Sequence, residues 1–204
     1  MERRIIAVLA NSVKNHAHCV AGKCIRTGVW IRPVSTPTGG GLNDQQIRYT
    51  NKYGSYSVKV LQKIEMEFSA HAPLINQPEN FLISHVPWLQ RYKIDPSEIG
   101  QYLDYPYSLW GEGDNVIFDF IAKGEIKIEQ SLQLVRVDGL RFYLNANNKR
   151  RASFFYNNIH YDLAVTDPFF HEYINGAKSP NGILCISLAG AWEGRCYKIV
   201  ATIF

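Results

Sequence analysis

Apolar, β-branched and aromatic residues recur in short runs separated by turn residues, and this spacing predicts strands along the whole chain. Residues 5–9, Ile-Ile-Ala-Val-Leu, contain no polar side chain, the pattern of a strand buried on both faces. Comparable runs fall at 29–34, 57–68, 80–84, 116–120, 126–128, 132–137 and 142–144. Others follow at 152–156, 159–165, 183–188 and 196–203. Asp138-Gly139 and Asn157-Asn158 have hairpin-turn chemistry, the second pair between two of these runs. Helical periodicity is thin. Residues 88–92 read as one helical turn. Asp95-Pro96 and Asp167-Pro168 each put a capping acid before a proline, predicting short helices over 95–103 and 167–173. Strands at this density with only short helical covers indicate an all-β protein, barrel or sandwich, with minor α content.

Polar groups break the apolar pattern at informative places. The run at 5–9 leads into Asn11-Ser12-Val13-Lys14-Asn15-His16-Ala17-His18, so a core strand delivers hydrogen-bonding groups and a cation to one rim. Trp30 and Arg32 share parity on the next strand and leave one face together. That pair reads in two ways, as a core tryptophan with a rim salt bridge or as a base-stacking ring beside a phosphate-binding guanidinium. Ser35 opens a Ser-Thr-Pro-Thr-Gly-Gly-Gly loop whose backbone could approach a phosphate, but no Gly-Lys-Ser or Gly-Lys-Thr follows, so it is not a Walker loop. Lys198 interrupts an apolar strand and is expected at a barrel mouth with its ammonium near water or an anion.

Composition adds bounds. The 204 residues can bury a substantial core as one domain or two. The seam is expected within 103–114, where Pro, Gly and acidic residues cluster, dividing the chain into residues 1–110 and 111–204. A net charge of +4, from 22 basic against 18 acidic residues, is too small to demand a polyanion partner. Its distribution says more, with cations at Lys14, Lys23, Arg26 and Arg32 and again at Lys149-Arg150-Arg151. No apolar run has membrane-spanning length, and the first residues lack a secretory cleavage pattern, so a cytoplasmic protein with no membrane partner is expected. The four cysteines should then be free thiols. His16, His18, Cys19 and Cys24 invite a zinc reading, but no Cys-x-x-Cys or His-x-x-x-His pair occurs; no metal or other cofactor is expected.

Catalytic patterns are wanting. There is no Gly-x-Ser-x-Gly elbow, and Ser187 sits in a strand-like run. Asp162 and Asp167 form no recognisable paired-carboxylate motif, and Glu125-Ile126-Lys127 reads as a solvated strand face. Aromatic residues, by contrast, make up 13% of the chain and include twelve tyrosines, more than a core requires. Tyr49, Tyr53 and Tyr56 interleave with Arg48 and Lys52, the best basic-aromatic interleaving present. That segment is either a polar hairpin loop or a contact surface.

Several segments together resemble the dual OB-containing domain family of bacteria. They are Asn11-Ser12-x-Lys14 with Cys19-Val20-Ala21-Gly22, Trp30-Ile31-Arg32-Pro33-Val34-Ser35, Pro78-Glu79-Asn80 and Ser108-Leu109-Trp110. Val165-Thr166-Asp167-Pro168, Cys185-Ile186-Ser187-Leu188 and Tyr197-Lys198-Ile199-Val200-Ala201 complete the set, which runs from end to end. The resemblance implies two OB-like small β-barrels packed together and nucleic-acid or nucleotide recognition in a defence setting. It marks Ser12, Lys14, Trp30, Arg32, Ser35, Asp167, Ser187 and Lys198 as candidate binding residues. Where the family pattern has a glycine in the first loop, this chain has His16-Ala17-His18.

The expected function is binding rather than catalysis, with single-stranded or locally opened nucleic acid as the partner. Lys14, Arg32 and Lys198 would meet phosphates, Trp30 a base, and Ser12 and Ser35 would supply hydrogen bonds. The alternative is a sensor for a small nucleotide or modified base that signals to an effector protein. An enzyme would need an acid–base pair such as Asp167 with Lys198 to converge.

Overall fold

The computed structural model describes residues 1–14 and 17–204, with Lys14 described by its backbone alone. The protein is 52% strand and 8% helix, an all-β chain folded as two OB-like barrels. It divides into two compact units, Met1–Tyr102 and Leu103–Phe204. The stretch after Leu103 belongs with the second unit for local reasons. Asp104 and Leu134 exchange hydrogen bonds, and Leu109 is fully buried in the second core.

The first unit contains β1 (Glu2–Lys14), β2 (Ala17–Cys24), β3 (Trp30–Val34), β4 (Arg48–Asn51), β5 (Gly54–Ser57), β6 (Gln62–His71), β7 (Asn80–Ile83) and β8 (Trp88–Lys93). Strands β1, β2, β3, β7 and β6 follow one another and β6 pairs back onto β1, closing a five-stranded barrel. Closure leaves those strands no free edge. β6 alternates in strict period two: Gln62, Ile64, Met66 and Phe68 point inward, while Glu65 and Glu67 meet Arg91 and Arg3 outside. β1 bulges between Val8 and Ala10, bending a long strand that serves two neighbours. Gly22 packs against it so closely that a Cβ there would lie 2.0 Å from the Ala7 carbonyl oxygen.

β8, β4 and β5 extend outward from β6 as a side sheet ending at β5. Residues 88–92 are therefore strand and not the expected helical turn. β8 pairs with both β6 and β4, and Trp88 is buried, so sheet pairing overrides a local pattern that suited one turn. The expected run at 57–68 is likewise two strands. Leu61, at φ 62°, turns the chain, its N–H donating to the Val8 carbonyl and its own carbonyl accepting from Ile94. The helix expected over 95–103 is a 3-10 helix, Pro96–Tyr102, with the Asp95 carboxylate accepting from the Ser97 N–H.

The second unit contains β9 (Asn115–Ile117), α1 (Phe118–Ala122), β10 (Leu132–Arg136), β11 (Asp138–Leu144), β12 (Arg150–Tyr156), β13 (Ile159–Val165), α2 (Phe170–Ile174), β14 (Ile183–Trp192) and β15 (Arg195–Ile203). Its sheet runs β10-β14-β15-β13-β12-β11, with β9 on β15. Leu163, Phe154, Leu184, Ile186 and Val200 lie in its core. Asn157 and Asn158 sit at φ 48° and 62° between β12 and β13, the positive angles of a primed two-residue turn. Asp138-Gly139 makes no turn; it lies in a register shift of β11, whose partner is β12. Residues 126–128, with the Glu125-Ile126-Lys127 tripeptide, form no strand. They follow α1, where the Glu125 and Ile126 N–H groups both donate to the Phe120 carbonyl. Among the described residues no helix is long and apolar enough to cross a membrane.

Candidate nucleic-acid interface

Most residues that the sequence marks for binding hold the barrels together. Trp30 is 1% exposed, with the Lys23 ammonium 5.4 Å from its ring centroid, so the ring faces the core and not solvent. Arg32 is buried too, its Nε donating to Glu79 at 3.1 Å and one terminal nitrogen to Cys19 Sγ at 2.9 Å. Ser12 is buried on β1 opposite Cys19. The side chain of Lys14, with His16, lies outside the described residues. Ser35 is half-buried; its hydroxyl donates to the Gly41 carbonyl at 2.7 Å and ties the glycine loop shut.

In the second unit, Asp167 caps two segments at once, accepting from the Phe169 N–H at 2.7 Å and the Ile203 N–H at 2.8 Å. Burial pushes its carboxyl above the usual carboxylate range. Ser187 is buried on β14 between Leu132 and Ile199. Lys198 is 1% exposed and does not reach a barrel mouth. Its ammonium donates to the carbonyls of Gly111, Glu112 and Gly113 at 2.7, 2.9 and 3.0 Å and lies 5.3 Å from the Tyr161 ring. Lys198 and Asp167 thus serve different backbone segments and form no ion pair. All four cysteines are free thiols, and no group of three or more His, Cys, Asp or Glu among the described residues could hold a metal.

The exposed chemistry lies on the side sheet. In β4–β5, Tyr49 pairs across the hairpin with Tyr56 and turns inward, where its hydroxyl accepts from Gln62. The rings that follow are more exposed: Tyr56, 6.0 Å from Tyr49 between ring centroids, is 45% exposed, Tyr53 at the turn 74%, and Tyr92 at the end of β8 70%. Their backbone is well held. Asn51 donates to Gln90 across β4 and β8 and accepts from the Tyr53 N–H, while the Tyr56 hydroxyl donates to the Tyr53 carbonyl. Lys52 stands 4.9 Å from the Tyr53 ring centroid. Lys52, Lys59 and Lys93 are exposed, and none pairs with a carboxylate among the described residues.

Two grooves of about 570 and 640 Å³ flank Tyr53 and share Asn51, Gln90 and Lys93 in their walls. A third cavity of about 450 Å³ opens beside β4, lined by Ser35, Arg48, Ser84 and Trp88 among others. Of the marked residues whose side chains are described, Ser35 alone lines one of these three. Residues 45–64 and 80–94 contain no Asp or Glu, while Arg48, Lys52, Lys59, Lys63, Arg91 and Lys93 all lie within them; of these, Lys63 pairs with Glu98 and Arg91 with Glu65. Residues 1–102 carry twelve Lys and Arg against seven Asp and Glu, a net +5. Residues 103–204 carry ten against eleven, a net −1. The basic-aromatic interleaving of 48–59 already signals this face; Tyr92 and Lys93 carry no such signal, because only pairing of β8 with β6 and β4 brings them to it.

No curated protein and no solved structure matches the chain. The model of the dual OB-containing domain family matches residues 4–203, nearly the whole chain. With that match and two OB-like barrels built from its strands, the chain belongs to the dual OB-containing domain family.

Proposed function

We propose that this protein binds single-stranded or locally opened nucleic acid, without catalysis, on the face formed by β4, β5 and β8. The observation that carries this reading is the set of exposed tyrosines on the side sheet, Tyr53, Tyr56 and Tyr92, among lysines that no carboxylate neutralises. Aromatic faces accept any base by stacking, and uncompensated ammonium groups track the phosphate chain. The grooves on either side of Tyr53 give a strand somewhere to lie. Phosphate contact falls here to Lys52, Lys59 and Lys93, while Arg32 and Lys198 keep their partners within the barrels.

The test is fluorescence anisotropy with single-stranded and duplex DNA and RNA over a salt series. Single strands should bind more tightly than duplex, with a steep negative slope of log affinity against log salt. Alanine at Lys52, Lys59 or Lys93 should each lower that slope by about one unit. Tyr53→Ala or Tyr92→Ala should cost about 1–3 kcal/mol of affinity with the slope unchanged. A complex saturated by mononucleotides and indifferent to salt would replace the strand with a small nucleotide as ligand. Negligible binding to every polymer would end the proposal.

A further inference from the structure

The cavity of about 450 Å³ beside β4 is polar, with amide and guanidinium groups beside the hydroxyls of Ser35, Thr50, Ser55 and Ser84 and the His85 ring. Asn43 Oδ1 accepts from the Gln45 and Gln46 N–H groups at 3.0 and 2.9 Å, and Gln46 Oε1 accepts from the Asn43 N–H at 2.9 Å. Each amide oxygen is thereby engaged, which fixes both side chains and leaves their NH2 groups as what they offer. Arg48 is held in the same manner. Its Nε donates to the Ser55 hydroxyl at 3.1 Å and Nη2 to the Ser55 carbonyl at 2.7 Å, leaving Nη1. All three residues line the cavity, with Pro87 and Trp88 supplying apolar wall. Among the described residues the free NH2 groups and Nη1 make no hydrogen bond. The volume falls in the range of small-ligand sites, and Thr50 lines both this cavity and the groove that passes Tyr53.

A cavity whose fixed side chains present donors suits a flat ligand with adjacent acceptors on one edge. Guanine sets two acceptors side by side at O6 and N7, as unpaired cytosine does at O2 and N3, whereas adenine and thymine have no such pair. We infer that this cavity takes one base out of a strand bound along the tyrosine face and selects guanine or cytosine there over adenine and thymine. The inference rests on the strand-binding reading and adds a base preference to it. The tyrosines supply sequence-tolerant affinity, and the donors of Asn43, Gln46 and Arg48 supply discrimination.

The experiment compares binding of the full chain to a labelled fifteen-nucleotide oligothymidylate and to the same oligomer with one central deoxyguanosine, deoxycytidine or deoxyadenosine. The guanine and cytosine oligomers should each bind roughly tenfold more tightly than the other two, as a pair of well-placed hydrogen bonds to one base provides. Gln46→Glu and Asn43→Asp keep the oxygens that accept from the backbone and replace each NH2 with an acceptor. In both variants that preference should fall to about unity, whatever the shared loss of affinity from added negative charge. Tyr92→Ala should weaken all oligomers together and keep the preference. Equal binding of the four oligomers by the unaltered protein would overturn the inference and leave strand binding standing. Failure to bind any of them at low salt would overturn both.

Discussion

Lys198 brings a charge into a place from which water is excluded, and it shows how single residues act here. Burial pulls its ammonium from 10.5 down to about 8, although three carbonyls surround it. The folded state then gives up this proton before the unfolded chain does. Between pH 8 and 10.5 the unfolded chain holds more protons, so Lys198 makes folding more favourable as pH rises through that window. Urea denaturation of the protein and of Lys198→Met across those pH values should show the unaltered protein gaining relative to the variant; a constant difference would rule the linkage out. Arg32 is the opposite case, a charge fully paired with Glu79 inside the barrel. Arg32→Ala strands a buried carboxylate and should cost about 3–5 kcal/mol of stability, read from the denaturation midpoint. Nucleic-acid affinity per folded molecule should be unchanged, because the residue does not reach the tyrosine face.

At the scale of elements, β1 and β2 depend on one position without a side chain. Gly22 lies against Ala7 so tightly that a Cβ would overlap its carbonyl oxygen at 2.0 Å. Gly22→Ala must separate two paired strands of the closed barrel. We expect a loss of more than about 4 kcal/mol, seen as a collapsed thermal midpoint or as protein that does not fold. The β4–β5 hairpin is built differently. It is short, every residue of its β5 half is exposed, and it hangs from β8 by Tyr49 opposite Trp88 and Thr50 opposite Leu89. Its rigidity comes from side chains, with Asn51 bridging to Gln90 and Arg48 clasping Ser55. A stacking surface needs such support, since rings that are already ordered lose less freedom when a base lands on them.

Across the whole molecule, charge and exposed aromatic surface coincide in one unit. The net +5 belongs to residues 1–102, which also hold Tyr53, Tyr56 and Tyr92. Expressed separately, residues 1–102 should retain salt-dependent binding to single strands and residues 103–204 should not, measured by anisotropy at equal concentration. Comparable binding by the second fragment would move the interface to that unit. The second unit spends its polar groups on its own frame, with Asp167 accepting from the Phe169 N–H ahead of α2 and from the Ile203 N–H at the end of β15, and Lys198 clasping the loop before β9.

Much of the architecture was legible in the residues alone. Period-two alternation and all-apolar runs report which side chains must leave water, and the Asn157-Asn158 turn reports a backbone that tolerates positive φ. These are local properties, so strand content and the turn followed from them, while the two barrels were implied by the resemblance of motifs along the chain. The tyrosine-lysine interleaving at 48–59 was legible in the same way, with its meaning open. Which polar residues face solvent is set by strand pairing between segments far apart in the chain. Arg32 reads as a phosphate contact until β3 is laid beside β7 and Glu79 meets its guanidinium. Lys198 reads as a rim cation until residues 111–113 supply three carbonyls. Tyr92 reads as the end of a helical turn until β8 joins β6 and β4. The sequence by itself determined the strand-rich, all-β character of the chain and its stock of cations and rings. The tertiary structure decided which were consumed as internal partners and which were left for a ligand, because a buried polar group must find its partner wherever the fold brings one.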